Sequence, residues 1–565
     1  MSDERRLKVV MCWHMHQPHY CDLVSGQYQQ PWTYLHAIKD YTDMAAHLEA
    51  IPEARAVVNF APVLLEQIAD YAGQVRGFLC DSKPIRDPLL AALASPVLPA
   101  GCERRTGLIC ECLRINESII NRFRDYRQLS DMAAWFQGHQ DGMLYVSDQF
   151  TIDLLVWYHV AWLGETIRLT DSRAQRLIEK GKGFTLHDRR ELLTLIGDIL
   201  SSVLDRYRVL SEKGQVELAL SPYGHPILPL LLDFNSATEA MPDVDLPSVP
   251  RYPEGEERAR WHIYEGLAIF EEYFGFRPRG CWPSEGAVST ATLRLLDDAG
   301  FRWVASGESV LRHSLDGDDS GNKNLLHRPY RMTGSDMGCF FRDDGLSDLI
   351  GSTYSDWHAD DAVANFIQHL ESISDQVGDQ DDAVVSIILD GENAWEHYPS
   401  NGYYFLDALY RRLSEHPKLE MTTFSDSLAE VHEPRELPQL VAGSWVYGTF
   451  STWIGDADKN RGWDMLCDAK RVFDTAHSEQ HIAGEQLLAA QHQLSVCEGS
   501  DWFWWFGDYN PSDTVSDFER LFRIHLSNLY HLLGKESPEY LSHVFTHGSG
   551  KPQLGGVMRR GQQGG

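Results

Sequence analysis

The chain has 565 residues, with 50 lysines and arginines against 82 aspartates and glutamates, which gives a formal net charge of −32. Hydrophobic residues make up 43% and aromatic residues 11%, enough for a large core, so a disordered or fibrous chain is excluded. The acidic balance argues against nucleic-acid and anionic-membrane partners, because both are bound through clustered positive charge. We therefore expect a protein that acts on a neutral or cationic ligand.

The sequence predicts neither a membrane span nor a secretory leader. The apolar run at 227–232 contains Pro229 and is far shorter than the ~20 residues that a bilayer requires. No signal-peptide core follows the charged N-terminus. The ten cysteines lack the paired spacing of a zinc site or a disulfide framework. We expect reduced thiols, no membrane association and a cytoplasmic location; the oligomeric state is left open.

Short apolar runs alternate with helical patterns along most of the chain. The predicted buried strands are 7–12, 54–60, 216–220, 279–282, 301–305 and 384–389. The helical patterns between them include 33–49, 191–211 and 254–274. Strands separated by helices favour a mainly parallel sheet, and at this length a barrel is its natural closure. Such barrels place their chemistry on the loops that follow the strand ends.

The pattern divides the chain into three parts. Residues 1–435 form the predicted barrel, with a helix-rich insertion at about 80–215. Residues 436–545 are predicted to form a C-terminal helical domain, with helices at 464–493 and 517–533. The glycine-rich end predicts a disordered tail over 546–565.

Two groups of histidines follow predicted strands. His14 and His16 come directly after the first strand, where they could bind a metal or a substrate, or be loop residues satisfied by backbone groups. Glu217 lies within an apolar strand and needs either a role or a buried partner. His225 follows that strand, between a glycine and a proline, on a predicted tight loop.

Two carboxylates are predicted at strand ends. In Cys281-Trp282-Pro283-Ser284-Glu285 a short strand meets a proline, so Glu285 is presented on a turn beside an indole that could stack on a sugar. In the segment Leu389-Asp390-Gly391-Glu392-Asn393-Ala394-Trp395 an apolar strand ends in Asp390. A helix start beside a core tryptophan is the alternative for the first segment, and a helix cap is the alternative for the second.

An aromatic run begins at Asp501 and Trp502 and continues to Phe506. Five consecutive aromatic side chains cannot all face one side of a helix. Some must therefore line a groove, or pack between the helical domain and the barrel.

Paired carboxylates on strand-end loops with tryptophans nearby are typical of glycoside hydrolysis, in which one carboxyl attacks and the other protonates the leaving oxygen. The sequence has no phosphate-binding glycine loop, nucleophile elbow or dinucleotide fingerprint. A non-catalytic glycan-binding protein is the alternative that the aromatic run suggests, although the two strand-end carboxylates argue against it.

The clusters "HQP", "GQVEL…SPYGHPILP", "CWPSE", "LDGENAWEHYP" and "EGSDWFWWFGD", in this order, resemble the five conserved regions of glycoside hydrolase family 57, in its amylase and amylopullulanase-like branch. The resemblance covers about residues 9–533. It implies an α/β fold, an incomplete (β/α)7 barrel with a helical domain, acting on α-glucans by a retaining mechanism and without a catalytic metal or other cofactor.

The resemblance also assigns roles. It implies that Glu285 is the nucleophile and Asp390 the general acid/base, with Glu392 as a rival for the acid. A retaining pair is expected at a separation of about 5–5.5 Å. The substrate-binding positions are listed together: His14, His16, Glu217, His225, Trp282, Trp395, Asp501 and Trp502. A glucanotransferase or branching enzyme would use the same pair, and a metal-dependent α-mannosidase or polysaccharide deacetylase on a similar barrel is the second alternative.

Overall fold

The structure is a computed structural model that describes residues 6–550, except for 140, 316–324, 379 and 381. Its described strands form one sheet. They are β1 (Leu7–Met15), β2 (Ala56–Phe60), β3 (Val216–Leu220), β4 (Gly280–Cys281), β5 (Trp303–Ser306), β6 (Tyr330–Met332), β7 (Gly338–Phe341), β8 (Val384–Asp390), β9 (Leu419–Met421) and β10 (Arg435–Leu437).

Seven of these strands run parallel around a barrel, in the order β7-β5-β4-β3-β2-β1-β8. Between β7 and β8 the ring is joined by a single bridge, Arg342 to Ser386. The Arg342 Nε–H also donates to the Ile388 carbonyl at 2.8 Å. β6 pairs antiparallel with β7, and β10 extends the sheet beyond β6. The fold is therefore the expected incomplete (β/α)7 barrel.

Between β1 and β2 lie α1 (Trp32–His36) and α2 (Thr42–Ala50), which a π turn at Ala37–Tyr41 joins. α3 (Pro62–Asp81) follows β2. The described residues of the predicted insertion, between β2 and β3, form helices joined by loops. These helices are α4 (Pro88–Ala94), α5 (Cys102–Glu111), α6 (Glu117–Arg122), α7 (Arg124–Gln137), α8 (Asp148–Trp162), α9 (Glu165–Thr170), α10 (Ser172–Lys180) and α11 (Leu186–Glu212). α12 (Leu228–Leu232) and α13 (Gly255–Phe274) precede β4.

The remaining barrel helices are α14 (Thr290–Asp298), α15 (Glu308–Ser314), α16 (Asp344–Asp348), α17 (Ala359–Val377), α18 (Tyr403–Ser414) and α19 (Phe424–Glu430). The C-terminal helices are α20 (Ala457–Ser478), α21 (Gly484–Cys497), α22 (Ser500–Trp505) and α23 (Ser512–Leu532). No helix in the described part of the chain is both long and apolar enough to cross a membrane.

The inside of the barrel contains a buried apolar cluster below the strand ends. This cluster includes Val10, Cys12, Val57, Ala219 and Ile388. Side chains two residues apart face the same way in a strand. Continuing the inward positions of β1 and β8 therefore places His14 and Asp390, which are register partners, at the carboxyl end of the barrel.

The first residues of the predicted C-terminal tail, 546–550, lie within the described part of the chain. The Gly550 backbone N–H donates to the Asn510 carbonyl at 3.0 Å and the Ser549 N–H to the Asp508 carbonyl at 2.8 Å, so these residues pair with the loop before α23. Residues 551–565 lie outside the described part of the chain.

Candidate active site

A pocket opens at the carboxyl ends of β1, β4 and β8, where the barrel meets the C-terminal helices. Its lining residues are His14, His16, Glu285, Asp390, Glu392, Asn393, Trp445 and Trp504. Among these lining residues there are three carboxyl groups and neither a lysine nor an arginine. A pocket with this lining suits a neutral ligand that offers hydroxyl groups.

The turn after β4 presents Glu285. Pro283 ends the strand, and Glu285 takes a left-handed backbone conformation with φ 59°. Gly286 has to be glycine here, because a Cβ would lie 2.7 Å from the Trp282 ring. Glu285 Oε2 accepts a hydrogen bond from Trp445 Nε1 at 2.9 Å, and its Oε1 lies 3.9 Å from His225 Nδ1. The turn thus fixes one carboxylate oxygen and leaves the other without a close donor.

Asp390 is the last residue of β8 and lies beside His14 across the strand pair. Its Oδ2 accepts a hydrogen bond from Asn393 Nδ2 at 2.6 Å. The carboxyl group is therefore held on a rigid strand end, on the same pocket as Glu285.

Both carboxyl groups have raised pKa values. Burial raises the pKa of Glu285 well above its usual range, and the charge of Asp390 adds to this, against the lowering effect of the Trp445 hydrogen bond. Burial also raises the pKa of Asp390 to about 6, although the Asn393 hydrogen bond lowers it. Two buried carboxyls that interact share their protons. The pair therefore keeps a proton at a pH where exposed carboxyls would be fully ionised.

Glu392 adds a third buried carboxyl group to the pocket. Its Oε1 accepts hydrogen bonds from Gln17 Nε2 at 3.1 Å and from the His16 backbone N–H at 3.4 Å. Burial, followed by the charge of Asp390, raises its pKa well above the usual range. The rival for the acid role is thus beside Asp390, but its Oε1 is already held by donors from the loop after β1.

Three histidine rings stack along one wall of the site. His16 and His225 are nearly parallel, with ring centroids 3.7 Å apart and planes 18° apart. His14 Nδ1 and Asn59 Oδ1 are 2.6 Å apart, and His14 Nε2 and His225 Nε2 are 3.2 Å apart. Burial lowers the pKa of His14 to about 3 and that of His225 well below its usual range. At neutral pH these two rings are neutral hydrogen-bonding groups and do not compensate the carboxylates.

Asp501 joins this wall from α22. Its Oδ1 lies 2.9 Å from His16 Nε2, and the neighbouring Ser500 Oγ lies 2.9 Å from His225 Nδ1. The C-terminal helices therefore complete the pocket. They connect to two of the histidines that the sequence singled out.

His16, His225 and Asp501 could in principle offer ligand atoms to a metal, since those atoms lie within 4.8 Å of one another. An imidazole nitrogen binds a metal in the plane of its ring. Two parallel rings stacked at 3.7 Å cannot both point at one ion. The arrangement fits hydrogen bonding, and it does not support the alternative of a metal-dependent enzyme.

Glu217 does not reach this pocket, so the structure does not support its predicted role in substrate binding. Its carboxylate accepts hydrogen bonds from Trp303 Nε1 at 2.7 Å and from the Ser425 N–H at 3.0 Å. It lines a different cavity, with Arg55 and Asp426, near the start of β3. Glu217 is level with Cys12 rather than with His14, because it is the second residue of its strand.

Three predicted tryptophans are also absent from the pocket lining. Trp395 is buried, donates to the Gly391 carbonyl at 2.8 Å and supports the turn after Asp390 from the outside of the barrel. Trp502 is buried and donates to the Val496 carbonyl at 2.8 Å. Trp282 is buried beneath the Glu285 turn and packs against Trp445. Trp395 and Trp282 thus pack against the segments that carry Asp390 and Glu285, and contact of the three indoles with a substrate stays a prediction.

Sequence reasoning missed two indoles that do line the pocket. Trp504 belongs to the aromatic run, but only the path of α22 decides that this ring faces the barrel. Trp445 lies in a loop after β10, where the sequence had no strand or motif to locate it. Its cation–π contact with Arg342, at 5.4 Å, depends on tertiary packing.

A buried ionic cluster joins α13 to the segment before α22. The Glu498 carboxylate accepts hydrogen bonds from Arg258 Nη2 at 2.8 Å, from Tyr252 Oη at 2.6 Å and from His262 Nε2 at 2.7 Å. His262 Nδ1 in turn accepts from the Gly224 N–H at 3.1 Å. This Glu498 cluster fixes the loop of His225 against the helix that carries Asp501.

An incomplete (β/α)7 barrel with opposed strand-end carboxyls defines a glycoside hydrolase type of enzyme. The family model "Glycosyl hydrolase family 57" matches residues 10–441. The chain belongs to this family, as the sequence predicted.

Solved structures share the fold at low sequence identity. The chain is similar to the GH57-type branching enzyme of Pyrococcus horikoshii (15% identity, TM-score 0.56, covering 99% of this chain and 100% of that one). It is similar to the alpha-amylase AmyC of Thermotoga maritima (14%, 0.57, 95% and 96%). It is also similar to the 4-alpha-glucanotransferase of Thermococcus litoralis (13%, 0.51, 93% and 60%). No curated protein sequence matches the chain.

Proposed function

We propose that the chain is a retaining glycoside hydrolase that acts on α-glucans such as starch, glycogen or maltodextrins. The observation that carries this proposal is the pair of strand-end carboxyls, the buried Glu285 and the half-buried Asp390, lining one pocket of a family 57 barrel. A lining without lysine or arginine supports a neutral substrate. Trp445 and Trp504 offer apolar ring faces of the kind that pack against sugars.

Glu285 is the nucleophile in this proposal. The Trp445 indole N–H fixes its Oε2, and Oε1 lies 3.9 Å from His225 Nδ1 and accepts no hydrogen bond from the described residues. Oε1 attacks the anomeric carbon and forms a glycosyl ester. The indole hydrogen bond then stabilises the carboxylate when the ester is cleaved.

Asp390 is the general acid and then the general base. Both carboxyls have raised pKa values and share a proton, and this proposal places that proton on Asp390 and leaves Glu285 ionised. Asp390 donates its proton to the leaving glycosidic oxygen as that bond breaks, and then takes a proton from the attacking water. Glu392 is a weaker candidate, because Gln17 and the His16 backbone already hold its Oε1.

Transfer to an acceptor sugar would use the same two carboxyls, so a 4-α-glucanotransferase or branching activity is the alternative outcome. The experiment is a product profile on maltoheptaose and soluble starch without added metal. Shorter products with rising reducing ends support hydrolysis. Longer products at constant reducing ends indicate transfer, new α-1,6 bonds indicate branching, and no change on either substrate contradicts the α-glucan proposal.

The assignment within the pair is tested with an aryl α-maltoside and azide. A good leaving group needs little acid assistance, so Asp390→Ala should keep most of its glycosylation rate on this substrate and release an α-glycosyl azide. Glu285→Ala should instead release a β-glycosyl azide, because azide replaces the missing nucleophile. Glu392→Ala serves as the control. If Glu392→Ala gave the α-azide and Asp390→Ala did not, the acid/base assignment would be wrong.

A further inference from the structure

The loop 443–449, here called the rim loop, lies across the carboxyl ends of β4 and β5. Gly443 pairs with Val288, and the Trp445 backbone N–H donates to the Glu285 carbonyl at 3.1 Å. A Cβ on Gly307, directly after β5, would lie 2.6 Å from Trp445 Cα. The rim loop therefore lies on the same end of the barrel as the catalytic pocket.

The rim loop holds Tyr447 in a backbone conformation that tyrosine rarely adopts. Its φ is 57°, in the left-handed region, and the next residue, Gly448, is also left-handed with φ 66°. The loop is closed by the Thr449 N–H, which donates to the Val446 carbonyl at 3.2 Å, and by Ser444 Oγ, which donates to the Thr449 carbonyl at 2.7 Å. Glycine or asparagine suits such a position better, so tyrosine at this position costs conformational free energy.

This cost is not offset by burial of the ring. Tyr447 is 70% exposed, whereas Trp445 two residues earlier is packed between Trp282 and Arg342 and lines the pocket. Two residues span at most about 7 Å of backbone. The exposed tyrosine is thus carried by the same short loop as Trp445, at the end of the barrel where the catalytic pocket opens. Residues that their surroundings hold in strained backbone conformations are concentrated at functional sites.

We propose that Tyr447 forms an outer sugar-binding subsite, stacking on a glucose ring of the α-glucan chain where it leaves the pocket. This inference rests on the proposed function. An exposed aromatic face on a rigid loop binds an apolar sugar face with little loss of side-chain freedom. Such a subsite makes the enzyme prefer chains long enough to reach the rim loop.

The test is the dependence of the kinetics on chain length. Tyr447→Ala should raise KM for maltoheptaose by about fivefold, since aromatic stacking contributes on this scale. KM and kcat for maltotriose should change less than about twofold. Tyr447→Phe should behave as the unaltered enzyme at both lengths. Equal effects at both lengths, or none at either, would overturn the proposal.

Two further variants separate this role from a structural one. Tyr447→Gly removes the ring but suits the left-handed conformation, so it should reproduce the maltoheptaose defect without lowering the melting temperature. Tyr264→Ala removes another exposed tyrosine, on the outer face of α13, and should change neither KM. If the unaltered enzyme neither cleaves nor binds maltoheptaose, the proposed function fails first. If the unaltered enzyme is active and Tyr447→Ala has the same KM and kcat on maltotriose and maltoheptaose, only the subsite proposal is contradicted.

Discussion

Two regions of this molecule bury a carboxylate, with opposite electrostatic results. In the Glu498 cluster the carboxylate accepts hydrogen bonds from Arg258, Tyr252 and His262, and its pKa falls to about 2 despite burial, mainly through the charge of Arg258. In the pocket, Glu285 has an indole donor and a second carboxyl nearby, and its pKa rises well above the usual range.

The difference shows that burial alone does not decide what a carboxylate does. A buried carboxylate with a cation and a full set of donors is stable, ionised and structural. Buried carboxyls without a cation are costly to ionise, so an interacting pair shares a proton, and one member can donate it while the other is ionised. The two regions are connected, since the Glu498 cluster fixes the loop of His225, whose ring stacks on the pocket residue His16.

The largest change in activity that tests this comparison is expected for Glu285→Gln. We expect kcat on maltoheptaose to fall by about 10⁴-fold or more, because the nucleophile is lost while size and shape are kept. The same variant should unfold at a higher temperature than the unaltered protein at pH 8, because a carboxylate that is costly to ionise has been removed. Kinetics and calorimetry on one preparation measure both. A variant that keeps full activity would refute the assignment of the nucleophile.

Glu498→Gln should have the reverse profile. Removing one partner of a buried ion pair leaves Arg258 uncompensated and should cost about 3–5 kcal/mol of unfolding free energy. Urea unfolding measures this cost. Glu256→Gln is the matched control. It breaks an exposed ion pair with Arg260 in α13, the helix that also carries Arg258, and should cost less than about 1 kcal/mol of unfolding free energy. Equal costs for the two variants would mean that the Glu498 cluster is not the structural counterpart of the pocket.

The pH dependence of stability sharpens the comparison at Asp390. Its pKa is higher in the folded state, at about 6, than in the unfolded chain, at about 4. The contribution of Asp390 to the unfolding free energy is therefore fully present below about pH 4. It is lost as the pH rises towards 6, and the loss is at most about 3 kcal/mol. Asp390→Asn should flatten the unfolding free energy over this interval. Identical pH slopes for the variant and the unaltered protein would contradict the assigned environment.

The smallest effect is expected at Glu217, which is half-buried and hydrogen-bonded but does not line the pocket. Glu217→Gln should leave kcat/KM within about twofold and lower the unfolding free energy by about 1–2 kcal/mol, through its bonds to Trp303 and Ser425. A large loss of activity without a loss of stability would restore its predicted role in substrate binding.

The sequence located six strands, including β4 and β5, which have only two and four residues. The prediction for 216–220 matches β3, and that for 384–389 falls one residue short of Asp390. The sequence missed β6, β7, β9 and β10, which have three or four residues each. Their pairing depends on neighbours distant in the chain, such as Tyr330 with Arg435.

The sequence by itself determined the family, through its five motifs, and the barrel, through its alternating strands and helices. It also placed the carboxyls at strand ends, because a proline or a glycine marks the end of an apolar strand locally. Only the tertiary structure decided which aromatic rings face the pocket. Trp504 lines it while Trp395 and Trp502 are buried elsewhere, and Trp445 reaches Glu285 across 160 residues. Which side of an indole is covered depends on what packs against it, and those contacts come from remote parts of the chain.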